Sequence, residues 1–436
     1  MSRKRIWIAA ALALMMLSGC SIRTLNQLYQ VPKRSDEFNN LQAAIDKNLG
    51  SREYCAPLSG DNLQAVQMAD LDGDGVQEYL LFTRGDTEKP LQILIFKLEA
   101  EEYILSDTIE SHGADFDVVQ YARFDDRPGY ELIVGCQISQ QISRSVNVYS
   151  LVDGKAQSLL SANYTKFLSC DFNSDQRSEL MVLRPGESDE ANGLAELYLY
   201  QNGTVERSRQ LPLSESAQRL KRVETGLLES GEPAVYVDSA VGDIAVVTDV
   251  FTMIGGEFVN VISDKLSTVR EAYVYAEDID SDGVVELPAV MTMRPPYGPG
   301  SSSMQRLVRW YAVNADGVAC VKQHTFHNFY AGWYMILDSR WAERVAVVQQ
   351  GNAYIFSVWN EEQTHADTIF TVYAITGTDR KEQAQADGRF ALGEDDTVLY
   401  AAYLEANAAD YQLTEEIIID QFHLIHQDWK TEEVSK

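Results

Sequence analysis

Short apolar runs recur along most of this chain, with polar and apolar residues alternating around them. Tyr79-Leu80-Leu81-Phe82 is one such run, and "LQILIFKL" and "YILSDTI" follow it. A period of two predicts β-strands. Two-residue turns fall inside the alternating stretches at Asp153-Gly154, Asn202-Gly203, Gly255-Gly256 and Asp316-Gly317. Glycine there supplies the positive φ that a tight hairpin needs. Helical spacing is read at two places. After Ser35 as N-cap, Phe38, Leu41, Ile45 and Leu49 form one stripe that Gly50 stops. After Thr414, with Glu415 and Glu416 in a first turn, Ile418, Phe422, Ile425 and Trp429 share one side.

Several apolar runs are preceded by an acidic loop. In "ADLDGDGVQEYLLF", Asp70, Asp72 and Asp74 stand at positions 1, 3 and 5, Gly75 at 6 and Glu78 at 9. Calcium takes six to eight oxygens at about 2.3–2.6 Å, and alternating carboxylates in a tight turn offer them. The carbonyl of Val76 would fill position 7. "CDFNSDQRSELMVL" sets Asp171, Asn173, Asp175, Arg177 and Glu179 in the same register, and "EDIDSDGVVELPAV" sets Asp278, Asp280, Asp282, Val284 and Glu286. An EF-hand would need glutamate at position 12, where Leu81, Val182 and Ala289 stand. The loops therefore carry calcium chemistry between strands. Two weaker copies lie between them. One keeps Asp125 and Glu131 but carries Arg123 and Arg127, so that a fixed cation could substitute for a metal. The other keeps only Glu224 and Glu232.

The final glutamates fall at 78, 131, 179, 232 and 286, spacings of 53, 48, 53 and 54 residues. The four hairpin turns follow their glutamates by 22, 23, 23 and 30, the last delayed by the insertion "RPPYGPGSSS". In the first copy the same offset falls in "EAEE". Each unit thus reads strand, acidic loop, strand, connection, strand, turn, strand. Four antiparallel strands per roughly fifty residues is the blade pattern of a β-propeller. These loops and this period resemble FG-GAP/VCBS-type repeats, similar to the calcium-binding blades of integrin α-subunit propellers, over about residues 62–325. The whole chain also resembles lipid-anchored VCBS-repeat proteins of Gram-positive gut bacteria. The resemblance implies three calcium ligand sets: Asp70, Asp72, Asp74 and Glu78; Asp171, Asn173, Asp175 and Glu179; Asp278, Asp280, Asp282 and Glu286. The FG and GAP sequences themselves are absent.

Charge and the N-terminus set the context. The 436 residues carry a net charge of −29, which leaves no basic footprint for nucleic acid. The opening "MSRKRIWIAAALALMMLSGC" pairs Arg3, Lys4 and Arg5 with an apolar core and a Leu-Ser-Gly-Cys ending, the pattern of a lipoprotein signal in which Cys20 is acylated. Cys55, Cys136, Cys170 and Cys320 leave both free thiols and three disulfide pairings open.

The expected organisation is a signal over 1–19, an acylated cysteine, tether and helix over 20–50, a five-bladed calcium-binding propeller over 51–325, and a small α+β domain over 326–436. The strands of that last domain would be "ERVAVV", "AYIFSVW", "TIFTVYAI" and "TVLYAAYL", a sixth, diverged blade being the alternative. His324/His327 and His423/His426 form HxxH pairs without the glutamate of a zinc protease motif, and Arg84-Gly85-Asp86 is an isolated tripeptide. No catalytic motif stands out. The expected role is a lipid-anchored, extracytoplasmic binder of a protein or glycan with structural calcium. An enzyme acting on carbohydrate through carboxylates, and an envelope scaffold, are the competing classes.

Overall fold

The computed structural model describes residues 36–138, 144–188, 191–262, 266–295, 305–329 and 331–425. The signal segment, Cys20, and most of the "RPPYGPGSSS" insertion lie outside these residues. Among the described residues the protein is mainly β: six antiparallel sheets follow one another along the chain, none closed into a barrel. The first sheet is built on Glu78–Arg84, Leu91–Glu99 and Glu102–Ser111, with short Glu53–Tyr54 and Val66–Ala69 both pairing to Glu78–Arg84. The second comprises Asp115–Ala122, Glu131–Gln137, Arg144–Val152 and Lys155–Tyr164; the third Lys166–Cys170, Glu179–Arg184, Leu194–Gln201 and Thr204–Pro212. The fourth comprises Leu220–Leu227, Pro233–Val241, Ala245–Ile254 and Glu257–Asn260.

Local chemistry explains this order. The turns at Asp153-Gly154, Asn202-Gly203 and Gly255-Gly256 all have positive φ at both residues, and Ala100-Glu101 adopts the same conformation without glycine, as type I′ hairpins require. The apolar runs after each loop glutamate become the second strands of the sheets. Leu80, Leu81 and Phe82 are all fully covered, as are Leu180 to Leu183. Strands buried on both faces read as continuous apolar runs.

Each sheet lays one face on the next. Phe82 of the first sheet meets Phe116 of the second edge-on at 5.0 Å, and Tyr164 of the second meets Phe167 of the third at 4.8 Å. Phe172 of the third packs beside Phe258 of the fourth. Burying such a side chain contributes about 1.5–3 kcal/mol, so these contacts hold the array in sequence. The other face of the first sheet, at Leu81, Leu94 and Phe96, is covered by Leu41, Ala44 and Ile45 of the helix Asp36–Leu49.

The C-terminal third differs from expectation. The boundary expected after residue 325 falls inside the strand Ala319–Asn328. That strand belongs to a fifth sheet, ordered Leu287–Thr292, Arg306–Val313, Ala319–Asn328, Trp333–Leu337, Phe422–Leu424. The four strands expected beyond 326 form a sixth sheet, Val345–Gln350, Ala353–Trp359, Ala366–Thr376 and Val398–Leu404, with Phe390–Glu394 at its edge. A register shift at Phe356/Ser357 in its second hairpin matches those at Ile95/Phe96, Val148/Tyr149, Leu197/Tyr198 and Trp310/Tyr311. The fifth and sixth sheets share one core around Phe326, Trp333, Phe356 and Phe370. One apolar cluster thus spans both sides of residue 325.

The last helix is also shorter than its apolar stripe suggests. Thr414 caps it as expected, accepting from the Ile417 amide, but it ends at Gln421. Phe422–Leu424 instead pairs with Trp333–Met335 and stacks Phe422 on Trp333 at 5.4 Å. An open sheet edge offers backbone partners that a continued helix would leave unused. His423 is therefore on a strand, its ring 4.9 Å from that of Tyr334, while His426 and Trp429 lie outside the described residues. His324 and His327, three apart on one strand, face opposite sides of their sheet and cannot share a ligand face. Cys55, Cys136, Cys170 and Cys320 are free thiols. Among the described residues no helix is long and apolar enough to cross a membrane.

Candidate metal centres in the acidic loops

In the first three sheets an acidic loop joins a short first strand to the buried strand beside it, and in the fifth the loop closes on the isolated Glu277–Glu286 bridge just ahead of Leu287–Thr292. One hydrogen-bond scheme recurs in these loops. The position-9 glutamate is buried where the strand after the loop begins, and its Oε2 accepts the backbone amide of position 2. This bond runs from Leu71 to Glu78 (2.8 Å), Phe124 to Glu131 (2.9 Å), Phe172 to Glu179 (2.8 Å) and Ile279 to Glu286 (3.1 Å). The position-1 aspartate accepts from the amide of position 6: Gly75 to Asp70 (3.0 Å), Gln176 to Asp171 (2.8 Å), Gly283 to Asp278 (2.9 Å). The amides of Val76, Arg177 and Val284, at position 7, reach Asp74, Asp175 and Asp282 at 2.8 Å each. Positive φ at Gly73 and Gly75, Ser174 and Gln176, and Ser281 and Gly283 lets each loop curl around its own side chains. The loops also touch one another: the Tyr130 amide donates to the Asp70 carbonyl (2.9 Å), and the Ser178 amide to the Arg123 carbonyl (2.6 Å).

What differs among the copies is the second oxygen of the glutamate. In the second loop the Arg127 guanidinium lies between Asp125 (2.7 Å) and Glu131 (3.1 Å) and also reaches Ser150. The arginine that weakened the calcium pattern thus supplies the cation itself. In the third loop the Asn173 amide holds Glu179 Oε1 at 2.9 Å, while Arg177 pairs with Asp175 at 2.7 Å. In the first loop and in the loop of the fifth sheet, Glu78 Oε1 and Glu286 Oε1 are buried and make no hydrogen bond. A buried carboxylate oxygen without a partner is costly.

Those same two loops bring acidic groups together. Asp70, Asp72 and Glu78 have carboxylate oxygens within 4.8 Å of one another, and so do Asp278, Asp280 and Asp282. The third loop, with Asp171, Asn173, Asp175 and Glu179, is closed on its own side chains and makes no such cluster. The weak fourth copy makes none either: Glu224 pairs with Arg222 at 3.0 Å, and Leu228 to Glu232 form a tight turn with Gly231 at φ 94°.

The charge state of each loop follows from burial. Burial pushes Glu286 up to about 8, aided by Asp280, Asp282 and Asp278, against the opposing hydrogen bond from Ile279. Burial likewise pushes Glu179 up to about 7 and raises Glu78 and Glu131. Lys97, from the third strand of the first sheet, ion-pairs with Asp72 and with Asp74 (2.9 Å), which holds Asp74 low and its own ammonium high. Lys322 stands at 3.9 Å from Asp282 and at 2.5 Å from Glu229. Neither lysine is visible as a partner in the sequence, because strand pairing rather than spacing brings it to its loop. Elsewhere, Arg84 of the Arg-Gly-Asp tripeptide is engaged in an ion pair with Asp115 at 2.5 Å.

No protein-family model matches the chain, and no curated protein sequence matches it. Among solved structures it is similar to a rhamnogalacturonan lyase of Bacillus licheniformis, at 12% identity and a TM-score of 0.30, covering 78% of this chain and 90% of that one. The chain thus stands on its own geometry: a mainly β array of antiparallel sheets whose acidic loops include two carboxylate clusters able to hold a metal ion.

Proposed function

We propose that this protein is a lipid-anchored, extracytoplasmic binding protein whose sheets are the blades of a calcium-riveted β-propeller. Its ligand is a protein or glycan of the bacterial envelope, and it carries out no catalysis. One observation carries the metal reading: of four equivalent buried glutamates, two have their second oxygen satisfied by Arg127 or Asn173, and two, Glu78 and Glu286, leave it orphaned in the two loops that cluster carboxylates, Glu78 with Asp70 and Asp72, and Glu286 in the loop of Asp278, Asp280 and Asp282. A divalent cation supplies the missing partner, so calcium is assigned to the loops of Asp70 and Asp278. Val76 and Val284 would complete these shells with their carbonyls. The third loop is left to its own side chains.

The blade reading is supported by consecutive sheets, each burying a face on the next, the first four sharing one hairpin turn (at Asp316-Gly317 only the glycine has positive φ) and five of the six sharing one bulge. Their number, six, favours the diverged-blade alternative over a separate α+β unit. The anchor rests on the Leu-Ser-Gly-Cys ending at Cys20. Calcium here is architectural, since the carboxylates spend their oxygens on loop amides. Binding would then occur on a surface that the loops hold in place. Metabolic labelling with a fatty acid should mark the wild type and not Cys20→Ser. Envelope pull-down and a glycan array, run with calcium and with chelator, should show calcium-dependent capture. Turnover of a polysaccharide with no stable capture would favour the enzyme class.

A further inference from the structure

Between the second and third sheets lies a cleft of about 1020 Å³ whose electrostatics run against the rest of the molecule. Three arginines line it: Arg144 from the second sheet, and Arg184 and Arg207 from the third. Glu196 is the single acidic residue among its described lining residues, in a chain of net charge −29. These arginines are held from beneath by buried carboxylates. Glu196 Oε1 takes Arg184 at 2.8 Å and Arg207 at 2.6 Å, and its Oε2 takes the Tyr198 hydroxyl at 2.8 Å. Asp117, also buried, repeats the arrangement, with Arg144 at 3.5 Å and the Tyr164 hydroxyl on the same oxygen. Burial works against the charge on Glu196, but the hydrogen bonds from Arg184, Tyr198 and Arg207 hold it below the usual carboxylate range. It stays ionised and serves to orient guanidiniums rather than to donate a proton. Pre-oriented guanidinium forks match planar oxyanions in a way that a flexible lysine does not.

The rest of the lining is uncharged and mixed, with Gln137, Ser161, Asn163, Thr165 and Gln218 interleaved with Ala162, Pro185 and the tyrosines Tyr164 and Tyr198. Neutral donors and acceptors interleaved with apolar surface suit a sugar, which presents hydroxyls at its edges and C–H groups on its ring faces. The volume stands at the upper end of the ~300–1,000 Å³ typical of small-molecule sites, far more than a free phosphate fills. We infer that this cleft binds an anionic saccharide, with Arg144, Arg184 and Arg207 on its acid groups and the neutral side chains on its hydroxyls. The inference rests on the envelope-binding reading above and gives it a site and a ligand class.

The test is calorimetric titration of the calcium-loaded protein with three probes: a galacturonate trisaccharide, the galactose trisaccharide of the same linkage, and inorganic phosphate. Arg144→Gln, Arg207→Gln and the double variant are titrated alongside. Arg144 and Arg207 are both substantially exposed; without them Glu196 still holds Arg184 and buried Asp117 still accepts from the Tyr164 hydroxyl, and the melting temperature of each variant checks that it is folded. The uronate is expected to bind at least about tenfold more tightly than the neutral sugar, and each substitution to weaken it about tenfold. Equal binding of the neutral sugar, phosphate binding as tight as the uronate, no uronate binding, or an unaffected double variant overturns the proposal. Envelope pull-down with the same variants separates the two readings. Capture retained by the double variant removes the cleft and leaves the binding reading standing, whereas no capture by wild type removes both.

Discussion

Replacing Arg127 by methionine isolates the idea that a fixed side-chain cation does in the second loop what a metal ion would do in the loops of Asp70 and Asp278. Asp125 and Glu131 have side chains 7% and 3% exposed, and both depend on the Arg127 guanidinium, which is itself 42% exposed. Breaking a fully buried ion pair costs about 3–5 kcal/mol because a charge is left without compensation. Water can reach the position that Arg127 vacates, so the expected loss is about 2–3 kcal/mol. Urea denaturation of wild type and variant measures it. The double variant Arg127→Met/Glu131→Gln removes the stranded charge while keeping an acceptor for the Phe124 amide, and should lose less than the single. The pH dependence has a definite sign. Burial already raises Glu131, and losing the guanidinium raises it further. A carboxyl raised in the folded state contributes stability at low pH that disappears as pH rises through its folded value. The penalty of Arg127→Met should therefore shrink toward pH 5 and grow toward neutrality. A loss below ~0.5 kcal/mol, or a double variant less stable than the single, would refute the reasoning.

Other expectations follow from the same geometry. Glu286, ordinarily near 4.5 and pushed by burial up to about 8, should make the chelated protein lose stability as pH rises between those values. Calcium, by holding the carboxylate ionised, should stabilise increasingly over the same window, as urea midpoints at pH 5 and 8 would show. Asp238→Ala should cost about 3–5 kcal/mol in chemical denaturation, since Arg270, 2% exposed, would lose its 2.8 Å partner within the fourth sheet. Trp333→Ala should cost about 3–5 kcal/mol by the same assay, and should loosen the fifth and sixth sheets together because one core contains both.

Much of the fold was legible because its signals are local. Loop ligands sit two residues apart, hairpin turns announce themselves as adjacent positive-φ residues, and the central strands are unbroken apolar runs after a glutamate. Arg127 could be read as a stand-in cation because it occupies ligand position 5 of its own loop. What escaped reading depends on partners far along the chain. Lys97 reaches Asp72 and Asp74 only through the pairing of the second and third strands. The C-terminal stripe of Ile418, Phe422 and Ile425 has helical spacing, but an open edge at Trp333 converts half of it to strand. The residue-325 boundary was drawn where the acidic loop disappears, yet sheet building continues without that loop because its apolar faces still match. The arginine cleft carries no motif, since Arg144, Arg184 and Arg207 meet only where two sheets abut.

The central claim is that the loops of Asp70 and Asp278 hold calcium while the loops of Glu131 and Glu179 satisfy those glutamates with Arg127 and Asn173. Equilibrium dialysis followed by elemental analysis counts the ions directly. Two calcium ions per chain are predicted for the wild type, one for Asp70→Asn, one for Asp278→Asn, and none for the double variant. Extracellular modules commonly bind with ~10⁻⁴–10⁻³ M affinity, so the dialysis is run at millimolar calcium. No bound calcium, or a count unchanged by both substitutions, would contradict the account.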